Sequence, residues 1–308
     1  MNKKTEVEFL GKKLVSPLVL PAGVMDLSFS GMRYAFENGV GMVTTKSYTI
    51  HPRKGHNGPV VATFENGLLN SMGLCNPGID EGIKEVEQLK IIISKPVIIS
   101  IFGTDTEEFI HLTKKANTSK ADFIELNLSC PNVADEFGTP LAASSVKVYE
   151  IVSAVKKIAA KPIIAKLSPN VYDIQKIAKT VKDAQADAIT MINTLGPGML
   201  IDIRMRKPVL HNKFGGMSGG CVKPIAIKLI YQVSQVVNIP IIGMGGVQSG
   251  EDAIEFIMAG AKLVGVGTAV YNRGINVFEK INNEIIEFME EENYSNLKQI
   301  KLLEKERG

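Results

Sequence analysis

The chain has 308 residues, 45% hydrophobic and 22% charged, with a formal net charge of +3. That is ordinary globular composition with material for a large core, and too mild a charge to imply nucleic acid or an anionic membrane surface. Three scattered cysteines, with no C-x-x-C or H-x-x-x-H spacing, exclude a disulfide framework and leave no expected metal or iron–sulfur site.

In chain order, the start MNKKTEVEFLGKK has no signal-peptide core, and no apolar run reaches the ~18 residues of a spanning helix, so a cytoplasmic protein is expected. VEFLGKKLV, residues 7–15, reads as a hairpin. Eight short, nearly continuous apolar runs then appear: Leu18–Gly23, Met42–Ser47, Val97–Gly103, Phe123–Ser129, Ile163–Asn170, Ala188–Thr194, Ile239–Gly246 and Leu263–Ala269. Runs of that kind suit strands buried on both faces. Between them lie amphipathic helical stretches such as Ser145–Ala160, Val171–Gln185, Val222–Val237 and Gly250–Ala259. Residues 48–78 and 195–220 are long excursions, and the charged tail after Glu290 reads as a solvated helix. Eight strand–helix units predict an α/β fold, a closed (β/α)8 TIM barrel, as one domain over residues 1–308 with the hairpin across the barrel bottom.

In such a barrel the chemistry collects where strands end. GMGG (243–246) closes the seventh run and GVGT (265–268) the eighth, the usual place for a phosphate cradle built from backbone N–H groups. Neither reads G-x-G-x-x-G, so no dinucleotide fingerprint is present. Lys46 and Lys166 end runs otherwise free of charge, and a buried ammonium asks for an anion. Asn70, Asn127, Asn132, Asn193 and Thr194 offer uncharged donors and acceptors that suit a flat ring bearing N–H and C=O groups. Cys130, between a polar Asn-x-Ser and Pro131, opens a loop; near lysines its thiol is a candidate base or nucleophile.

The motifs ELNLSCPN (125–132), NSMGLCNPG (70–78), AKLSPN (165–170), MINTLGPG (191–198), NKFGGMSGG (212–220), IPIIGMGG (239–246) and VGVGTAV (264–270) resemble those of the dihydroorotate dehydrogenases. The resemblance implies an FMN-bearing barrel that oxidises (S)-dihydroorotate to orotate in pyrimidine synthesis, with Cys130 as the base. It assigns substrate to Lys46, Asn70, Ser71, Met72, Gly73, Leu74, Asn127, Asn193 and Thr194. It assigns the flavin to Ala22, Lys46, Ser47, Ser100, Asn127, Lys166 and Ile192, and to Gly219, Gly245, Gly246, Gly267 and Thr268. Ala22 stands where many relatives have serine, and Ser100 where asparagine is common. A cysteine base without an N-terminal extension resembles the soluble class 1. KLSPNV, TMINTL and HPRKGH resemble its NAD-linked subtype, whose partner subunit carries FAD and a [2Fe–2S] cluster in a heterotetramer of two catalytic and two partner chains. NSMGL has instead the flavour of the fumarate-linked subtype, which stays an alternative, as does another flavin barrel that reduces pyrimidines. The stretch Pro131–Ser144, rich in small residues, is a candidate lid.

Overall fold

The computed structural model describes residues 3–129, 143–300 and 302–303. Eight parallel strands close a barrel in chain order: β3 (Leu18–Leu20), β4 (Met42–Thr44), β7 (Val97–Ile101), β8 (Phe123–Asn127), β9 (Ile163–Lys166), β10 (Ala188–Met191), β15 (Ile241–Met244) and β16 (Leu263–Gly265). Strands β1 (Val7–Phe9) and β2 (Lys12–Leu14) form the expected antiparallel hairpin. Strands β5 (Val61–Phe64) and β6 (Gly67–Asn70) come from the first long excursion; β11 (Leu195–Gly198) and β14 (Gly215–Ser218) come from the second. These four make one antiparallel sheet, ordered β11-β14-β6-β5, and a small hairpin pairs β12 (Ile201–Asp202) with β13 (Lys207–Pro208). The two excursions are therefore not independent loops, because the pairing of Asn70 with Gly216 joins them.

Helices α1 (Phe29–Glu37), α2 (Ile79–Ile92), α3 (Thr106–Thr118), α4 (Ser145–Ile158), α5 (Ile174–Asp183), α6 (Lys223–Ser234), α7 (Gly250–Met258), α8 (Ala269–Arg273) and α9 (Val277–Glu291) follow the strands. Their local origin is visible in α5, where Ile174, Ile177, Ala178 and Val181 recur at helical spacing and are all buried. Asp105 caps α3 by accepting the Glu108 N–H at 2.9 Å. Ser249 and Asp252 form a reciprocal capping box at the start of α7. The expected solvated helix after Glu290 is corrected. Helix α9 ends at Glu291, and beyond it Leu297 and Ile300, around a short 3-10 turn, pack into the core because they are apolar.

Inside the barrel, side chains alternate inward and outward along each strand. The lowest inward layer is apolar: Val19, Met42, Ile98, Phe123, Ile164, Ala188, Ile242 and Leu263 form one cluster. Phe9 and Leu14 of the hairpin belong to the same cluster, so the hairpin closes the barrel bottom. The Phe9 and Phe123 rings meet edge to face, with centroids 5.7 Å apart. Two residues further up, five of the eight strands turn polar, while Pro21, Met244 and Gly265 occupy the other three. Thr44, Ser100, Glu125, Lys166 and Thr190 are all buried there, followed at the top by Lys46 and Asn127. The bottom of the barrel supplies its cohesion; the top is built for something else.

Candidate active site

A cavity of about 460 Å³ opens at the C-terminal end of the barrel strands. That size falls within the roughly 300–1,000 Å³ of small-molecule sites. Its walls combine strand ends with the sheet made by the excursions. Asn70, Met72, Gly73 and Leu74 arrive from β6 and the segment after it; Met217 and Ser218 arrive from β14. Asn127 and Lys166 are register partners on β8 and β9, which puts an amide beside an ammonium on the inner face. Ala22, Lys46, Ser47, Ile192, Asn193 and Thr194 continue the wall, and Gly245, Gly246, Gly267 and Thr268 line it beyond the ends of β15 and β16.

Three predicted residues lie behind the wall instead of on it. Ser71 is fully buried, its backbone N–H on Val60 and its hydroxyl 2.9 Å from His56 Nδ1. Ser100, one layer down in β7, contacts Ser47 and Glu125. Gly219 stands behind the glycine loops, at φ +102°, where its carbonyl would lie 2.7 Å from a Cβ added at Gly246. Cys130, Asn132 and the stretch 131–142 lie outside the described residues.

The electrostatics of the cavity are one-sided. Lys46 and Lys166 are 8% and 4% exposed and make no ion pair among the described residues. The buried Asp26 lies near them. Burial pushes its carboxyl above the usual carboxylate value, while Lys46, the Gly23 N–H, its own N–H and Lys166 pull it back down. Asp26 also ties loops together: its side chain accepts from Gly23, and its carbonyl accepts from the Lys46 N–H at 3.3 Å. At the glycine end, the N–H groups of Gly246 and Gly267 find no acceptor among the described residues. A Cβ at Gly246, where φ is +93°, would also collide with Lys223 N at 2.9 Å, so only glycine lets these loops approach. Paired buried cations, orphan backbone donors and a slot walled by Met72, Leu74, Ile192 and Met217 fit an anionic, flat, ring-bearing ligand such as a flavin mononucleotide.

Sequence reading missed Glu125, Ser129 and Asp26. Glu125 sits two residues before Asn127 on one strand, hence on the same inner face, a spacing that could have found it. Asp26 carried no local signal; only the fold brings it to Lys46.

Closed barrel and crown cavity together define the class: a (β/α)8 protein with a donor-rich anion and ring site. A family model described as Dihydroorotate dehydrogenase matches residues 4–289, and the chain belongs to that family. The protein named Dihydroorotate dehydrogenase B (NAD(+)), catalytic subunit, of Pyrococcus abyssi is 44% identical over 295 residues, 96% of this chain and 97% of that one. Its namesake in Methanocaldococcus jannaschii is 44% identical over 286 residues, 92% of each chain. That of Brachyspira hyodysenteriae is 41% identical over 299 residues, 96% of this chain and 97% of that one.

Proposed function

We propose that the chain is the catalytic subunit of an NAD-linked dihydroorotate dehydrogenase. It oxidises (S)-dihydroorotate to orotate in pyrimidine synthesis with FMN in the crown cavity. The electrons leave to NAD⁺ through a partner subunit carrying FAD and a [2Fe–2S] cluster. The observation that carries this reading is the pair of buried ammonium groups, Lys46 and Lys166, with no ion pair among the described residues, beside Asn127 in one ring-sized cavity. The names of the relatives support the NAD-linked subtype over the fumarate-linked one.

When bound, FMN supplies the acceptor for the hydride leaving substrate C6. The chain supplies everything else. Lys166 and Lys46 would donate to the polar edge of the flavin ring, where preorganised cations stabilise added negative charge at least cost. Gly245, Gly246, Gly267 and Thr268 hold its phosphate on backbone and hydroxyl donors. Asn70, Asn127, Asn193 and Thr194 hold the dihydroorotate ring, and each buried polar group left unpaired by a wrong ligand penalises it. Cys130 takes the C5 proton, so proton and hydride together account for the two hydrogens lost.

Purification of the chain from its native source tests the reading. The expected result is a yellow protein that reduces NAD⁺ with dihydroorotate when an iron–sulfur flavoprotein accompanies it. A colourless chain that takes up no FMN, or a holoprotein that leaves dihydroorotate untouched, overturns it.

A further inference from the structure

A single hydrogen-bond chain runs under the cavity floor and joins two of its asparagines to a buried carboxylate. Asn193 Nδ2 donates to Ser129 Oγ at 2.7 Å, and Ser129 Oγ donates to Asn127 Oδ1 at 3.0 Å. Asn127 Nδ2 donates to Ser47 Oγ at 3.0 Å. Ser47 Oγ and Ser100 Oγ are 2.9 Å apart, and Ser100 Oγ donates to Glu125 Oε1 at 3.0 Å.

The direction of every link is set. The Ser129 backbone N–H, which can only donate, also points at Asn127 Oδ1, at 3.2 Å, and so fixes which way that amide faces. Ser47 therefore accepts from Asn127. Ser100 spends its one hydroxyl hydrogen on Glu125, so Ser47 donates to Ser100. Glu125, Ser100 and Ser129 are at most 1% exposed, and no bulk water competes for these groups.

The consequence lies in the cavity. Asn127 has its oxygen engaged below and one N–H left for a ligand. Asn193 has its oxygen on the Thr194 N–H at 2.8 Å, and its Nδ2 reaches the Ser129 carbonyl at 3.4 Å as well as the hydroxyl. With Lys46 and Lys166 beside it, Asn127 presents its remaining N–H in a donor-rich part of the cavity wall.

We infer that Glu125, acting through Ser100 and Ser47, is a positioning residue that locks Asn127 as a hydrogen-bond donor to an acceptor edge of the substrate, a ring carbonyl or carboxylate. This rests on the dihydroorotate reading above. Glu125 and Ser100 touch no substrate, and their effect is on binding.

The test uses the FMN-loaded protein and follows the flavin absorbance band during titration with orotate, with steady-state kinetics on dihydroorotate alongside. Ser100→Ala cuts the chain. It is expected to weaken orotate binding about tenfold and raise KM similarly, with kcat within about twofold and FMN content unchanged. Ser100→Thr restores the hydroxyl and is expected to return binding to within about threefold. Should the alanine variant not accumulate, Ser100→Cys, similar in volume and a poor donor, is expected to show the same loss. Wild-type affinity in Ser100→Ala or Ser100→Cys overturns the inference, and so does a loss that threonine fails to restore. A loaded wild-type protein whose flavin band ignores orotate overturns instead the functional reading beneath it.

Discussion

At the scale of the residue, the two lysines matter most because both are buried and neither makes an ion pair among the described residues, with Asp26 the nearby carboxyl that senses them. An ammonium moved out of water costs several kcal/mol unless an anion meets it. Lys166, at 4% exposure with no ion pair among the described residues, faces a cavity instead of a partner. Lys166→Ala is therefore expected to cut FMN retention by about tenfold or more, read as the flavin-to-protein absorbance ratio after gel filtration. Cys130→Ala supplies the contrast. It is expected to stay fully yellow while losing about a hundredfold or more in turnover at neutral pH, the usual size of a general-base contribution. An unaltered flavin ratio in the first variant, or undiminished turnover in the second, removes that residue from its role.

At the scale of the element, the hairpin and the barrel strands divide the work. Phe9 is 1% exposed and packs edge to face on Phe123, at the point where the barrel interior would otherwise open to water. Phe9→Ala deletes that plug and is expected to cost about 3–5 kcal/mol of unfolding free energy, measured by urea denaturation. A loss below about 1 kcal/mol would mean that the hairpin is decorative. Strand β8 shows the division within five residues: Phe123 inward in the apolar layer, then Glu125, then Asn127 at the cavity. A slip of one residue would turn all three to the outer face, so the apolar layer that holds the register also aims the functional side chains.

At the scale of the whole molecule, two carboxylates clamp distant parts of the chain. Asp122 binds Lys12 of the hairpin at 2.8 Å, Lys90 of α2 at 2.9 Å and the Val97 N–H of β7 at 3.0 Å. Burial alone would raise its carboxyl, yet these bonds hold it below the ordinary 3.8. Glu284 binds Arg273 and the Gly250 N–H; against the same effect of burial, those partners hold it below 4.5. In the folded protein both groups give up their proton more readily than in the unfolded chain. On acidification the unfolded state therefore binds more protons, and stability is lost as pH falls from those ordinary values through the lowered folded ones. Asp26, raised by burial, opposes this, since its neutral form is favoured in the folded state and its contribution declines as pH rises above 3.8. Urea midpoints measured from pH 7 to pH 3 are expected to hold steady and then drop below about pH 4.5, and Asp122→Asn is expected to make the drop shallower. A midpoint that stays constant down to about pH 3 refutes the clamps.

The alternation of apolar runs with amphipathic stretches determined the eight-stranded barrel, its hairpin and the end of the barrel where the cavity opens, because burial on both faces writes itself into short runs of Val, Ile and Leu. Strand lengths were overread. The runs extend past the strand ends into polar or glycine residues that belong to the crown. Lys46, Asn127 and Lys166 were legible as charges and amides interrupting those runs. Tertiary structure alone decided that the two long excursions pair into one sheet, that Asp26 faces Lys46, that Ser71 and Ser100 stand behind the wall, and that Ser47, Ser100 and Glu125 make one chain. Periodicity along a strand reports only which face a residue takes. Which neighbour it meets there depends on strand order and stagger around the closed barrel, and no local pattern encodes that.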